Sequence, residues 1–298
     1  MNLPLDRLPP MPLLRRRNRR RRTLTEAGSV MLGVVLLIWS LLPVYNMLLI
    51  ALDPEEGEIE FAGNLWAPEP SLDGFRDVVT QEARYLEDFW HLFGNSLYIG
   101  LSTMVLTVLI GSLASFAVSR LRLSKGSLLT NAALLTYAIP ASFLIIPYYR
   151  IMHTYGLSDS LWAVIAAQVT FATPFAILIL QLYANFIPLE LDDSARVDGA
   201  SPIQVYLRIY LPLMVPALAV VAIYSLLLAW NDYLYQAVLL SLRNMTVSMT
   251  QGQLFADVDA EWNAMMAAGI IYVLPPIALL LALRRYVVAS LTMVSAGV

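Results

Sequence analysis

Six long stretches without a charged side chain divide this sequence: residues 27–52, 92–119, 126–149, 160–189, 209–231 and 262–283. The fifth resumes beyond Asp232 over 233–242. A bilayer core about 30 Å thick takes about 20 apolar residues per helix, so each stretch is long enough to span. Helices of a soluble bundle would carry polar faces at the helical period, and these stretches lack them. The pattern predicts an all-α polytopic membrane protein with six transmembrane helices over 27–298, behind a basic tail, 1–26. The first stretch follows basic residues, as a secretory leader does. It is longer than the usual apolar segment of about 7–15 residues and has no small-x-small site before Asp53, so it reads as a retained helix. Pro43, Pro140, Pro147, Pro174, Pro216, Pro275 and Pro276 fall inside the stretches and predict internal breaks.

Charge sets the orientation. Fifteen of the 19 Lys and Arg fall before the first stretch or in alternate connections. They are Arg7, Arg15, Arg16, Arg17, Arg19, Arg20, Arg21, Arg22, Arg120, Arg122, Lys125, Arg196, Arg208, Arg284 and Arg285. The positive-inside rule then puts both termini in the cytoplasm. The acidic cluster Asp53, Glu55, Glu56, Glu58 and Glu60 falls outside, in a loop over 53–91 whose residues 72–90 predict a short amphipathic helix on the membrane surface. A second outside loop, 243–261, is polar. The Arg run has no apolar period and is expected to be an unstructured tail that touches anionic lipid rather than nucleic acid. Only 14% of residues are charged and the mean hydropathy is +0.65, against about 25% charged in soluble domains. There is no cysteine, and the two histidines, His91 and His153, lack metal-ligand spacing.

Transport needs a driving force. A P-loop needs a Gly-Lys pair to cradle phosphate, and the single lysine, Lys125, follows Ser124. A proton relay needs ionisable groups at depth, and only Asp232 offers one. The energy is therefore expected from a partner that docks on the cytoplasmic side. The longest inner connection between spans, 184–212, has the features of a docking element. Pro188 suits a first helical position, and Glu190, Asp192 and Asp193 suit the positive end of a helix. Asp192 and Arg196 stand at i,i+4. Gly199 suits a left-handed helix end. Ser201, Pro202 and Gln204 predict a capping box and a second helix.

This segment carries a resemblance. Asp193-Ser194-Ala195, then Gly199, then Ile209-Tyr210-Leu211-Pro212 keep both spacings of the EAA motif of binding-protein-dependent ABC importer permeases, with Asp for Glu and Ser for Ala. Asn95-Ser96, the run from Ser115 to Arg120, Pro140, Pro147, Gly156-Leu157, Trp230-Asn231-Asp232, Pro275 and Arg285-Tyr286-Val287-Val288 also look like the carbohydrate-importing branch. The chain is similar to the smaller six-helix subunit of maltose/trehalose-type importers. The resemblance implies a type I permease fold in a bacterial inner membrane. It implies a second homologous permease, an ATPase homodimer or pair that binds ATP and Mg, and an extracytoplasmic sugar-binding protein, with no cofactor on this chain and no catalysis by it. It also implies that Asp193, Ser194, Ala195, Arg196, Asp198, Gly199, Ile209 and Pro212 meet the ATPase.

Sugars are held by aromatic faces and by amide or carboxylate hydrogen bonds. Trp230, Asn231, Asp232 and Tyr235 offer those chemistries for a substrate pathway, and Tyr137, Gln168 and Tyr224 are further polar groups within spans. Such groups also serve helix–helix hydrogen bonding. Residues 251–259 are placed to reach a binding protein or to stand as solvated loop. The expected cargo is an oligosaccharide, glycoside or polyol. A self-contained carrier driven by a proton or sodium gradient is the alternative, and it would need Asp232.

Overall fold

The computed structural model describes residues 11–54, 66, 69–83, 86–121, 125–254 and 261–296. Every regular element among them is helical. Five helices are long and apolar enough to cross a membrane, and a bent pair makes a sixth span. Helix α1 (Met11–Ala51) contains the first span, Thr25–Ala51. After α2 (Asp73–Thr80) comes the second span, α3 (Phe89–Arg120). The third is the bent pair, α4 (Gly126–Leu135) and α5 (Ala141–Thr154). The fourth is α6 (Leu161–Ala184), started by Ser160, whose hydroxyl accepts the Trp162 N–H. The inner connection holds α7 (Glu190–Val197) and α8 (Pro202–Val205). A π-turn, Tyr206–Tyr210, joins α8 to α9 (Leu211–Trp230). Then come α10 (Leu234–Leu239), α11 (Val247–Leu254) and the last span, α12 (Trp262–Ala296).

Several expectations change. The tail does not begin as irregular chain, since α1 is already helical from Met11; residues 1–10 lie outside the described residues. Arg is a good helix former, so a basic run continues a helix without an apolar period. Of the seven prolines only Pro140 marks a break, with the two halves of the third span bent by 104°. Pro43, Pro147, Pro174, Pro216, Pro275 and Pro276 stand inside continuous helices. The fifth span reaches back to Pro202 rather than starting near Ile209. Helix α2 is shorter than 72–90, and it packs on α12 with Gly74 and Val78 buried instead of lying free on the membrane. The first part of the second outer loop is packed, with Thr246, Val247, Met249 and Thr250 buried, while Arg243 and Gln253 are exposed. Residues 255–260 and the acidic run 55–60 lie outside the described residues.

Helix α3 is the centre of the bundle and packs along both α6 and α9, while α12 packs on α9, α1 and α2. Two apolar cores lie along α3. One gathers Phe89 and Ile99 with Val164, Trp230, Val247 and Tyr272. The other gathers Phe116 with Leu180, Tyr206, Tyr210, Met214 and Val221. The outward faces stay apolar: Met31 and Trp39 of α1 are 71% and 77% exposed. Contiguous apolar surface of that extent belongs against lipid or another subunit. The α3–α9 contact depends on a missing side chain, because a Cβ on Gly100 would stand 3.0 Å from Trp230 Cε3. Gly100→Val is therefore expected to destabilise the bundle by about 1–3 kcal/mol through overpacking, read as a lower melting temperature in detergent. An unchanged melt would contradict this packing.

Candidate functional site

On the inner face, α7 ends in a paired turn. Gly199 N–H donates to the Arg196 carbonyl (3.0 Å) and Ala200 N–H to the Ala195 carbonyl (2.9 Å). Gly199 sits at φ +86°, a left-handed conformation that L side chains resist. The capping box then starts α8: Ser201 N–H donates to Gln204 Oε1 (2.7 Å), and Gln204 N–H donates to Ser201 Oγ (3.4 Å). Asp193, Ser194 and Asp198 are exposed and line a shallow hollow with Glu190 and Val197, whose side chain is 88% exposed. Ala195 and Ile209 turn inward onto the core around Phe116, while Pro212 is exposed.

Asp192 does not pair with Arg196. It is buried and faces Arg120 at the end of α3, with Oδ2 3.4 Å from Nη1 and the two side chains 5% and 1% exposed. Arg120 Nη2 also donates to the Ala184 and Ile187 carbonyls at the end of α6, at 2.9 and 3.1 Å. Arg196 donates instead to the Arg120 carbonyl (3.2 Å). One guanidinium thus joins the ends of two spans to the first docking helix. The second limb is fastened to the same span: Tyr206 and Ser112 hydroxyls are 2.7 Å apart, and the Tyr210 hydroxyl donates to Ser115 Oγ (3.0 Å). Both rings pack edge-on against Phe116. The π-turn sets Tyr206 and Tyr210 on one face, as its wider winding brings residues four apart closer to register. Sequence reasoning treated Arg120 as a topology charge and part of a family run. A basic residue ending a span, with a carboxylate two residues into the next cytoplasmic helix, was the available signal.

Within the bundle, the break at Pro140 opens a cavity of about 630 Å³ against α6 and the end of α9. Tyr137, Gln168, Tyr224, Asn231, Asp232 and Tyr235 line it, with Phe171, Leu227 and Leu228 among the apolar walls. Tyr235 donates from its hydroxyl to the Ala141 carbonyl (2.7 Å), which fixes the start of α5. One Asp232 oxygen accepts the Gln236 N–H (3.2 Å). Trp230 does not join them. It is buried, stacks on Tyr272 with centroids 4.5 Å apart, and accepts the Tyr272 hydroxyl at its carbonyl (2.9 Å).

At the other end, buried Gln236 organises the second loop. It accepts the hydroxyls of Thr246 and Ser248 at Oε1 and donates to the Ala229 carbonyl. Asp159, in the turn before α6, latches this loop to the fourth span. Its carboxylate accepts the Ser241 N–H (2.7 Å) and hydroxyl (2.6 Å), and its carbonyl accepts the Asn244 amide (2.7 Å). Partial burial pushes the Asp159 carboxyl up. The Ser241 hydroxyl and N–H, the Asn244 amide and the nearby Arg243 charge outweigh that and hold it below the usual aspartate range.

The chain is thus a membrane bundle with a structured helical loop on its inner side and a lined break in one span. Residues 103–293 match the family of binding-protein-dependent transport system inner membrane components, and the chain belongs to that family. It is 31% identical over 274 residues to the inner membrane ABC transporter permease protein YcjP of Escherichia coli, covering 91% of this chain and 96% of that one. It is 32% identical to the trehalose transport system permease protein SugB of Mycobacterium tuberculosis, over 85% of this chain and 91% of that one. The fold is similar to a chain of a bacterial ABC transporter involved in import of the acidic polysaccharide alginate. That match has a TM-score of 0.71 and 19% identity, over 90% of this chain and 98% of the other. The chain is thus a multi-pass inner-membrane permease subunit, which sets aside the self-contained carrier.

The Asp159 latch has a defined pH window. A folded pKa held below the unfolded value of about 3.9 stabilises the fold above that value, and the effect is lost as pH falls through the lowered one. Protection of the Ser241 amide from hydrogen exchange, corrected for intrinsic rate, is therefore expected to be flat from about pH 8 to pH 5. Asp159→Asn should reduce it several-fold across that whole range. A step in the wild-type profile near neutrality would contradict the assignment.

Proposed function

We propose that this chain forms half of the membrane pathway of a carbohydrate importer. In this reading it works beside a second related permease, over ATPase subunits that bind ATP and Mg, and below an extracytoplasmic binding protein that delivers an oligosaccharide, glycoside or polyol. The observation that carries the reading is the double-capped helical loop on the positive inner side, rigid at both ends and presenting exposed Asp193, Ser194, Val197 and Asp198. An element that must transmit movement needs to resist bending, and a paired turn followed by a capping box supplies that. Asp193, Ser194, Arg196, Asp198, Gly199 and the exposed Pro212 meet the ATPase, while Ala195 and Ile209 hold the loop to the spans.

Asn231, Asp232 and Tyr235, with Tyr137, Gln168 and Tyr224, form this subunit's share of the pathway. Tyrosine faces suit the apolar faces of sugar rings, and amide and carboxylate groups suit their hydroxyls. Trp230 supports the wall from behind. The trehalose system of Mycobacterium tuberculosis and the maltodextrin system of Bacillus subtilis, among the relatives, support a carbohydrate cargo.

The test is reconstitution with the neighbouring permease, ATPase and binding protein. ATP hydrolysis stimulated by a sugar-loaded binding protein, together with ATP-dependent uptake of that sugar, is the expected result. Uptake driven by an ion gradient through this chain alone would overturn the reading. Gly199→Asp adds a side chain at a left-handed position, strained by about 1–2 kcal/mol, and puts a charge at the turn. It is expected to lower uptake at least about tenfold at equal membrane level while ATP hydrolysis persists, with Gly199→Ala milder. Wild-type uptake in Gly199→Asp would sink the lever.

A further inference from the structure

Helix α3 is hydrogen-bonded at both of its ends to segments that are not its own neighbours in sequence. At the inner end, Arg120 holds Asp192 of the docking helix α7, and Ser112 and Ser115 hold the two tyrosines of the π-turn. At the outer end, Asn95 Nδ2 donates to the Met245 carbonyl (2.9 Å), and Ser96 Oγ accepts the Val247 N–H (3.1 Å). His91 Nε2 lies 3.3 Å from the Arg243 carbonyl. These joints lie on one helix of 32 residues with no proline inside, and Ser96 and Arg120 stand about 36 Å apart along it at 1.5 Å per residue. Asn95, Ser96, Ser112, Ser115 and Arg120 are all buried, so water does not compete for these contacts. The fifth span, 29 residues from Pro202 to Trp230, and α12, 35 residues, are of similar length, but each contains proline.

We propose that α3 is a rod that ties displacement of the docking helix at the inner face to displacement of the 243–247 segment at the outer face. Arg120 and Ser96 are its positioning residues at the two ends. The proposal rests on the reading of α7 and its turn as an ATPase-docking element. A straight, unbroken helix transmits a shift along its axis and a tilt about its middle. A helix interrupted like the third span, bent at Pro140, absorbs both. In a bundle that still assembles, loss of either end joint disconnects one face from the other, because coupling needs a contiguous set of contacts.

This chain contains no cysteine, so a single engineered cysteine on it, labelled before assembly with unlabelled partners, takes one spin label. Leu242→Cys, 77% exposed beside the outer joint, carries the label in the complete transporter in nanodiscs. In the wild-type background, ATP is expected to change the spectrum of this label. With Arg120→Gln or Ser96→Ala the ATP-induced change is expected to fall by more than about half, while ATP affinity at the ATPases stays as in wild type. A role confined to folding would lower assembly and leave the response of the assembled fraction intact. Should Arg120→Gln fail to assemble, Ser96→Ala, which removes one hydroxyl, carries the test. A full-amplitude change in Ser96→Ala, or a label insensitive to ATP in a wild-type complex that performs ATP-driven uptake, overturns the rod and leaves the importer reading standing. A wild-type complex whose uptake ignores ATP overturns both.

Discussion

A guanidinium with 1% of its side chain exposed sits where three cytoplasmic segments meet. Burying such a charge is costly unless it is paired and hydrogen-bonded. Arg120 is ion-paired with the Asp192 carboxylate at 3.4 Å and hydrogen-bonds through Nη2 to the Ala184 and Ile187 carbonyls, at the end of α6 and just beyond it. The Ala184 carbonyl also accepts the Ile187 N–H, so Arg120 reinforces a turn that already closes the fourth span. The arrangement defines where α7 begins relative to both spans. Without Arg120, the buried Asp192 would lose its counter-charge. Removing one member of a buried pair typically costs about 3–5 kcal/mol.

From that joint the rest follows in sequence. With α7 anchored, the turn at Gly199 and the capping box direct α8 back toward the membrane, where the π-turn seats two tyrosines on α3. The fifth span then rises beside α3 and ends at Trp230, stacked on Tyr272 of the last span. Its continuation turns at Asn231 and Asp232 into the cavity opened by the break at Pro140. The inner loop and the lined cavity therefore share one helix, α9, although they lie at opposite ends of it.

Much of this was legible before the structure. The six charge-free stretches, the inner position of 184–212, the left-handed Gly199 and the Ser201–Gln204 box depend on local rules of length, charge and capping, and local rules are what a sequence displays. The Asp192 pairing was not legible in the same way. Spacing suggested Arg196, four residues along the same helix, whereas burial selected Arg120, distant in sequence and near in space. Trp230 reads as polar-aromatic beside Asn231 and Asp232, yet one residue of helical rotation and the gap left by Gly100 send it into the core. The prolines show the same limit: six stand inside continuous helices, two of them, Pro43 and Pro147, exposed, and only Pro140 marks a break. The second outer loop reads as polar, and its Thr246 and Ser248 place their hydroxyls on Gln236 of α10, a partner that spacing along the chain does not announce.

Arg120 and Asp192 fasten the inner loop to the spans as one unit, and a double-mutant cycle on sugar uptake per membrane-inserted transporter measures that joint. Arg120→Gln and Asp192→Asn are each expected to impair uptake, with the double variant no worse than Arg120→Gln alone, a coupling of more than about 1 kcal/mol. Losses that simply add in the double variant would contradict it.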